Sequence, residues 1–247
     1  LTTVELTDVQ AGDTQIKFNS DLLKGSADAI TLNLNGNVTT SGGSIGTITL
    51  GNTAGTGVET VNVNSSGAAS EITTISGGLT TLNVTGDKDL TISGALAGVT
   101  TIAAGDFTGK LSVVVDSDGT AKDVVVTGGS GNDTADFTDG FEASDSFTGG
   151  DGTDSIKLTQ AVASGAINGT LSDVENLTVS DSGTGTIDMD NFSGITRVIY
   201  DAGITANGTA TVDDAVSGVT VEVDAANLIA ADGSLVVDLK TDGSSDA

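Results

Sequence analysis

The sequence predicts an all-β chain wound into a parallel β-solenoid, in coils of about 20 residues closed by glycine–aspartate turns. Short period-two runs are the first reason. TLNLNGNV, VETVNVN, LTTLNVTG, LSVVVDSD, VENLTVSD and VTVEVDA alternate aliphatic and polar residues and stop at Gly, Asn or Asp. The second reason is an internal period: an aliphatic residue, two polar residues and another aliphatic recur at Leu1, Val58, Leu79, Val99, Val174 and Ile195, and in a looser form at Val219. From Val58 to Leu79 to Val99, and again from Val174 to Ile195, each step is about 20 residues. The third is the scarcity of helical signal, since DNFSGI and DAANLIAADG offer a turn or two at most.

In chain order, LTTVELTD already reads as a strand, and residues 1–57 form an N-terminal β segment leading into the solenoid. Residues 58–247 are the repetitive solenoid, in which ITTISGG at Ile72, LTISGAL at Leu90 and LSVVVDS at Leu111 supply a second strand to each coil. Such a period belongs to solenoids, propellers or arrays; propeller blades need about twice the length, and the Asn or Cys ladder of leucine-rich repeats is missing. Stacked ~4.8 Å apart, roughly a dozen coils make a rod of about 55–60 Å. Tandem β-sandwiches, which share the many short strands, are the alternative.

Composition narrows the chemistry. The chain carries 34 acidic against 8 basic residues, a formal charge of −26, which opposes nucleic-acid binding and an anionic membrane surface. It suits a hard divalent cation, or simply a soluble acidic surface. Cys and His are absent, which removes disulfides, thiolate chemistry, imidazole bases and most zinc sites. No run of eighteen apolar residues predicts a membrane helix. With no initiator Met and no signal peptide, the chain reads as a piece of something longer or a processed product.

Two turns between residues 128 and 157 carry the metal expectation. GGSGND starts at Gly128 and GGDGTD at Gly149, the same step as from Val58 to Leu79 and so one coil period. In a solenoid they stack, bringing Asp133 and Asp154 within a few ångströms. Two carboxylates so placed repel, whereas Ca²⁺ converts the repulsion into coordination by six to eight oxygens. Gly129, Gly131, Gly150 and Gly152 allow close backbone approach and positive φ.

GGSGNDTAD and GGDGTDSIK fit the nonapeptide G-G-x-G-x-D-x-U-x, with Ala135 and Ile156 at the apolar position. The pair resembles the RTX calcium-binding repeats of type I-secreted bacterial proteins. That likeness implies calcium held by Asp133 and Asp154 with the loop carbonyls around Gly129, Gly131, Gly150 and Gly152. A true β-roll repeats a nonapeptide in many consecutive copies, whereas FTDGFEASDSFT separates the two copies here, so the likeness implies one or two ions rather than a ladder. Phrases such as GVETVNV, LAGVTTIAAGDFTG and LSDVENLTV are similar to bacterial surface-layer proteins of the RsaA kind.

The resemblance implies a structural, calcium-dependent component of an extracellular surface layer, secreted by the type I route and assembling with copies of itself. Cell-surface polysaccharide is then a further partner, reached through another part of the full-length protein. An RTX-type adhesin or biofilm matrix segment is the alternative, and a polysaccharide-acting β-helix enzyme the third reading. Without His, Cys or a Ser-x-x-Lys pattern, and with six Phe and one Tyr to stack on sugars, the sequence points away from catalysis. Asp116 and Asp118 in DSDGT are a further candidate calcium pair, against an acidic hairpin turn. Asp188, Asp190, Asp213 and Asp214 read as solvated turns, and Lys110 and Arg197 as partners for acids on neighbouring coils.

Overall fold

A computed structural model describes residues 3–7, 12–19, 21, 23, 25–35, 45–52, 57–115, 122–138, 140–165, 169–181, 183–224 and 232–240. Every strand pairing among them is parallel, which establishes the solenoid and sets aside the antiparallel sandwich. Within these residues sheet A has eight strands: Thr3–Thr7, Ala29–Asn35, Thr60–Ser66, Thr81–Gly86, Thr101–Ala103, Val125–Thr127, Ser146–Thr148 and Thr170–Ser172. Sheet B has ten, from Gly12–Lys17 to Thr220–Val223, and as far as Asn176–Val179 the two sheets take successive strands of the chain alternately. A third sheet of three strands, Gly185–Asp188, Thr209–Ala215 and Ser234–Leu239, completes the C-terminal coils.

Register shows how the coils stack. Thr60 pairs with Thr81, and Thr81 with Thr101, so these coils keep the step that runs from Val58 to Leu79 to Val99. Nearer the N-terminus a coil is half as long again, since Ala29 pairs with Thr60. The mean is about 24 residues per turn. Sheet B therefore rises only ~43 Å over its nine steps at ~4.8 Å each, a shorter rod than a uniform short period suggests.

Alternation puts one aliphatic row inside and one polar row outside on each strand. Val61, Leu82, Ile102, Val126 and Phe147 form one buried ladder on sheet A, and Leu90, Leu111, Leu177 and Val198 belong to the facing set on sheet B. Burying each such side chain contributes about 1.5–3 kcal/mol, which is how a core almost without aromatics holds together. Among the described residues Phe137 and Phe141 make the one ring pair, edge to face at 5.0 Å, beneath the corner that leads into sheet A.

The short helix Gln160–Ala163 is where the cross-section changes. Its residues lie beneath the Gly183–Gly185 segment: a Cβ on Gly183 would come 2.3 Å from the Gln160 side chain, so only glycine fits over it. The strands of the third sheet stack upward from there.

Candidate functional site

The turns at 128–133 and 149–154 link sheet A to sheet B in consecutive coils and sit one on the other. Thr127 pairs with Thr148 on one side of the corner and Thr134 with Ser155 on the other. The glycines follow from that stacking. A Cβ at Gly131 would lie 2.2 Å from the Gly109 carbonyl oxygen, and one at Gly152 would lie 2.3 Å from the Gly131 oxygen. Gly150 and Gly152 also adopt positive φ, 101° and 123°. Three coils thus interlock backbone to backbone, with no room for a side chain at Gly131 or Gly152.

Both turn aspartates are buried, Asp133 at 2% and Asp154 at 0% exposure. Asp133 Oδ1 accepts the Leu111 N–H at 2.7 Å and its Oδ2 accepts the Gly129 N–H at 2.7 Å. Asp154 Oδ1 accepts the Asp133 N–H at 2.6 Å, and Glu175 Oε2 accepts the Asp154 N–H at 2.8 Å. Each acid reaches back 21 or 22 residues to cap the amide of the previous coil. Corners are where the strand ladder lapses, and an orphaned buried amide costs about 1–3 kcal/mol. The carboxylates supply the missing acceptors.

One atom breaks the pattern. Asp154 Oδ2 is buried and has no hydrogen-bond partner, whereas its counterpart on Asp133 takes the Gly129 amide. Burial, chiefly, pushes the Asp154 carboxyl up to about 6, and the charges of Asp133, Glu175 and Asp173 push the same way against the Asp133 N–H. Burial also raises Asp133, opposed by its hydrogen bonds to Leu111 and Gly129 and by Lys110 nearby.

These positions decide how well the residues fit a cation. Asp133 has both oxygens engaged by amides, and the Gly129 carbonyl accepts the Asp151 N–H at 3.0 Å, so the first turn serves mainly as a staple. Asp154 retains a buried oxygen that a hard cation would satisfy, with Asp173 and Glu175 as neighbouring acids. Asp116 and Asp118 lie outside the described residues.

Other acids repeat the stapling. Asp145 at the opposite corner accepts the Val124 and Glu142 amides, and Asp181 accepts that of Gln160 at 2.6 Å. Glu175 was recoverable from sequence, because it follows Asp154 by the same step that separates Asp154 from Asp133. Arg197 pairs with Glu222 one coil on. Among the described residues one group of three acids has ligand atoms within 4.8 Å of one another, Asp188, Asp190 and Asp214. Lys240 already pairs with Asp190, and Asp188 accepts the Asp190 N–H at 2.9 Å. No helix among the described residues is long and apolar enough to cross a membrane. No protein-family model, no curated protein and no solved structure matches the chain.

Proposed function

We propose that the chain is a structural, calcium-dependent segment of a bacterial extracellular surface layer, assembling with copies of itself into a two-dimensional lattice. One observation supports the calcium reading best: the unpartnered, buried Oδ2 of Asp154 in a turn that resembles the RTX nonapeptide. A hard cation there accepts the oxygen and offsets the surrounding carboxylates. Asp154 would hold it, while Asp133 keeps the turn beneath in shape. A rod of stacked coils with one acid after another along its corners suits a repetitive scaffold rather than catalysis. Type I secretion to the cell surface belongs to the same proposal, on the strength of the sequence resemblance.

With a Kd of about 10⁻⁴–10⁻³ M, as for extracellular calcium modules, millimolar calcium stabilises the fold by about 0.4–1.4 kcal/mol per site. The experiment is titration calorimetry with sedimentation and negative-stain microscopy, in millimolar calcium and in chelator. Calcium heat together with sheets or tubes that disperse on chelation is the expected result. A monomer at every calcium concentration, with no heat, refutes the reading, and isolated rods that bind calcium reassign the chain to an adhesin.

A further inference from the structure

We infer that the rods join head to tail: the open last coil of one copy takes the first coil of a second copy. This names a surface for the lattice reading, on which it rests for self-association. Inside the rod the aliphatic rows are sealed, with Leu82, Ile102, Leu177 and Val198 at 0% exposure. At its ends they are not. Val4, Leu6 and Ile16 are only partly buried at the start of the described residues, and Val221, Val223 and Leu235 at their close. Ser234–Leu239 goes further. Val237 and Leu239 pair with the buried Val212 and Ala215, yet stand 43% and 60% exposed themselves. Repeat rods close such ends with polar capping units, and among the described residues neither end carries one.

The two ends fit each other as neighbouring coils do. Thr220–Val223 is the last strand of sheet B and Gly12–Lys17 its first, so each offers one edge that is unpaired among the described residues. Every ladder in the rod is parallel, and a second copy stacked in the same sense continues sheet B without a change of direction. With Val221 and Val223 set over Thr14 and Ile16, all four residues of Thr220–Val223 are paired. The inward rows then run on, because Val221 and Val223 already stand on Val198 and Tyr200, and Thr14 and Ile16 on Ile48 and Leu50. Phe18 and Leu23 follow the sheet B strand of the first coil, as Ser234–Leu239 follows that of the last. In the stack they come against Val237 and Leu239.

Charge selects this partner and this orientation. The register that joins the inward rows also sets Asp224 against Lys17, an exposed cation that makes no ion pair among the described residues. Joining two C-terminal ends would instead oppose Glu222, Asp224 and Asp238 to their own copies, with Asp213 and Asp214 one coil below. The contact is a strand addition, in which main-chain hydrogen bonds supply the affinity. Because the two joined surfaces differ, each joint leaves a fresh open end, and the copies form rows.

The test is sedimentation velocity over a range of protein concentrations with negative-stain microscopy, in millimolar calcium and in chelator. The mean mass of wild type should rise several-fold with concentration, as rows of rods. Lys17→Glu and Asp224→Lys should each weaken that rise several-fold. An equimolar mixture of the two should restore it, because joints between unlike copies again oppose opposite charges. Leu239→Arg should stop the rise, alone or in either mixture. Circular-dichroism melts confirm that each variant scored is folded. Charge variants that associate as wild type, or a mixture as weak as its components, overturn the proposal. Sheets that form equally from wild type and from the Lys17→Glu chain overturn it and leave the lattice reading in place. Rows without sheets support it and refute the lattice, and a wild type that stays monomeric in every condition overturns both.

Discussion

Replacing Asp154 by Asn tests the unsatisfied atom at the centre of the turn column. The folded carboxyl sits at about 6, against an unfolded value near ~3.9. A raised folded value means that the fold prefers the protonated acid, so this group's contribution is greatest below pH ~4. It is lost as pH rises through ~6 and stays lost above. The gap of about two units corresponds to at most ~3 kcal/mol. Solvent screening reduces the usable part to about 1–2 kcal/mol. Asp154→Asn keeps an acceptor for the Asp133 amide and removes the charge. In chelator at pH ~7.5 it should therefore melt about 2–8 °C above wild type, using about 2–4 °C per kcal/mol for a chain of this size. The difference should vanish near pH ~4.5, and the variant should lose the calcium-induced rise. Scanning calorimetry between those two pH values reads all three. A variant that melts below wild type at the higher pH, or a difference that does not change with pH, would refute the reasoning.

Asp133→Ala has the opposite sign without calcium, because it orphans the Leu111 and Gly129 amides; about 2–4 kcal/mol should be lost, read as a lower melting temperature in chelator. Gly152→Ala should be destabilising by more than ~2 kcal/mol, since its Cβ meets the Gly131 oxygen at 2.3 Å. Gly105→Ala, whose Cβ meets only the Thr127 methyl at 4.0 Å, should be tolerated, and denaturant melts compare the two. The Tyr200 hydroxyl is buried without a partner and burial pushes it up to about 12. Tyr200→Phe should accordingly leave stability unchanged or raise it by up to ~1 kcal/mol, and a clear loss in the same melts would show a hidden partner.

The period, the parallel winding and the stacking of the two turns were legible because stacked coils must repeat their in-and-out pattern. Which sheet each repeat belongs to was not. Val58, Leu79 and Val99 precede strands of sheet A, yet Val174 and Ile195, with the same signature, precede strands of sheet B. An inward aliphatic at a corner looks the same whichever leg it opens. The third sheet was hidden too, because it depends on the Gln160–Ala163 helix and the glycines above it, a packing match rather than a pattern. The glycines and aspartates of the turns read in sequence as calcium ligands, but much of their signature is explained by stacking and amide capping. A residue that accepts an amide and a residue that binds a cation share one requirement, an oxygen at a fixed corner, so composition alone cannot separate the two roles.

The backward reach of the carboxylates gives the rod a direction of growth. Leu111, Asp133 and Asp154 each have their amide completed by an acid in the following coil. A chain folding from its N-terminal end leaves every newest coil with an open corner until the next is synthesised and laid down. One that nucleates toward the C-terminal end adds coils onto acceptors already in place. Pulse-labelled hydrogen exchange during refolding should therefore protect the Asp154 amide before that of Leu111, and the reverse order would show that the corners do not set the sequence of assembly.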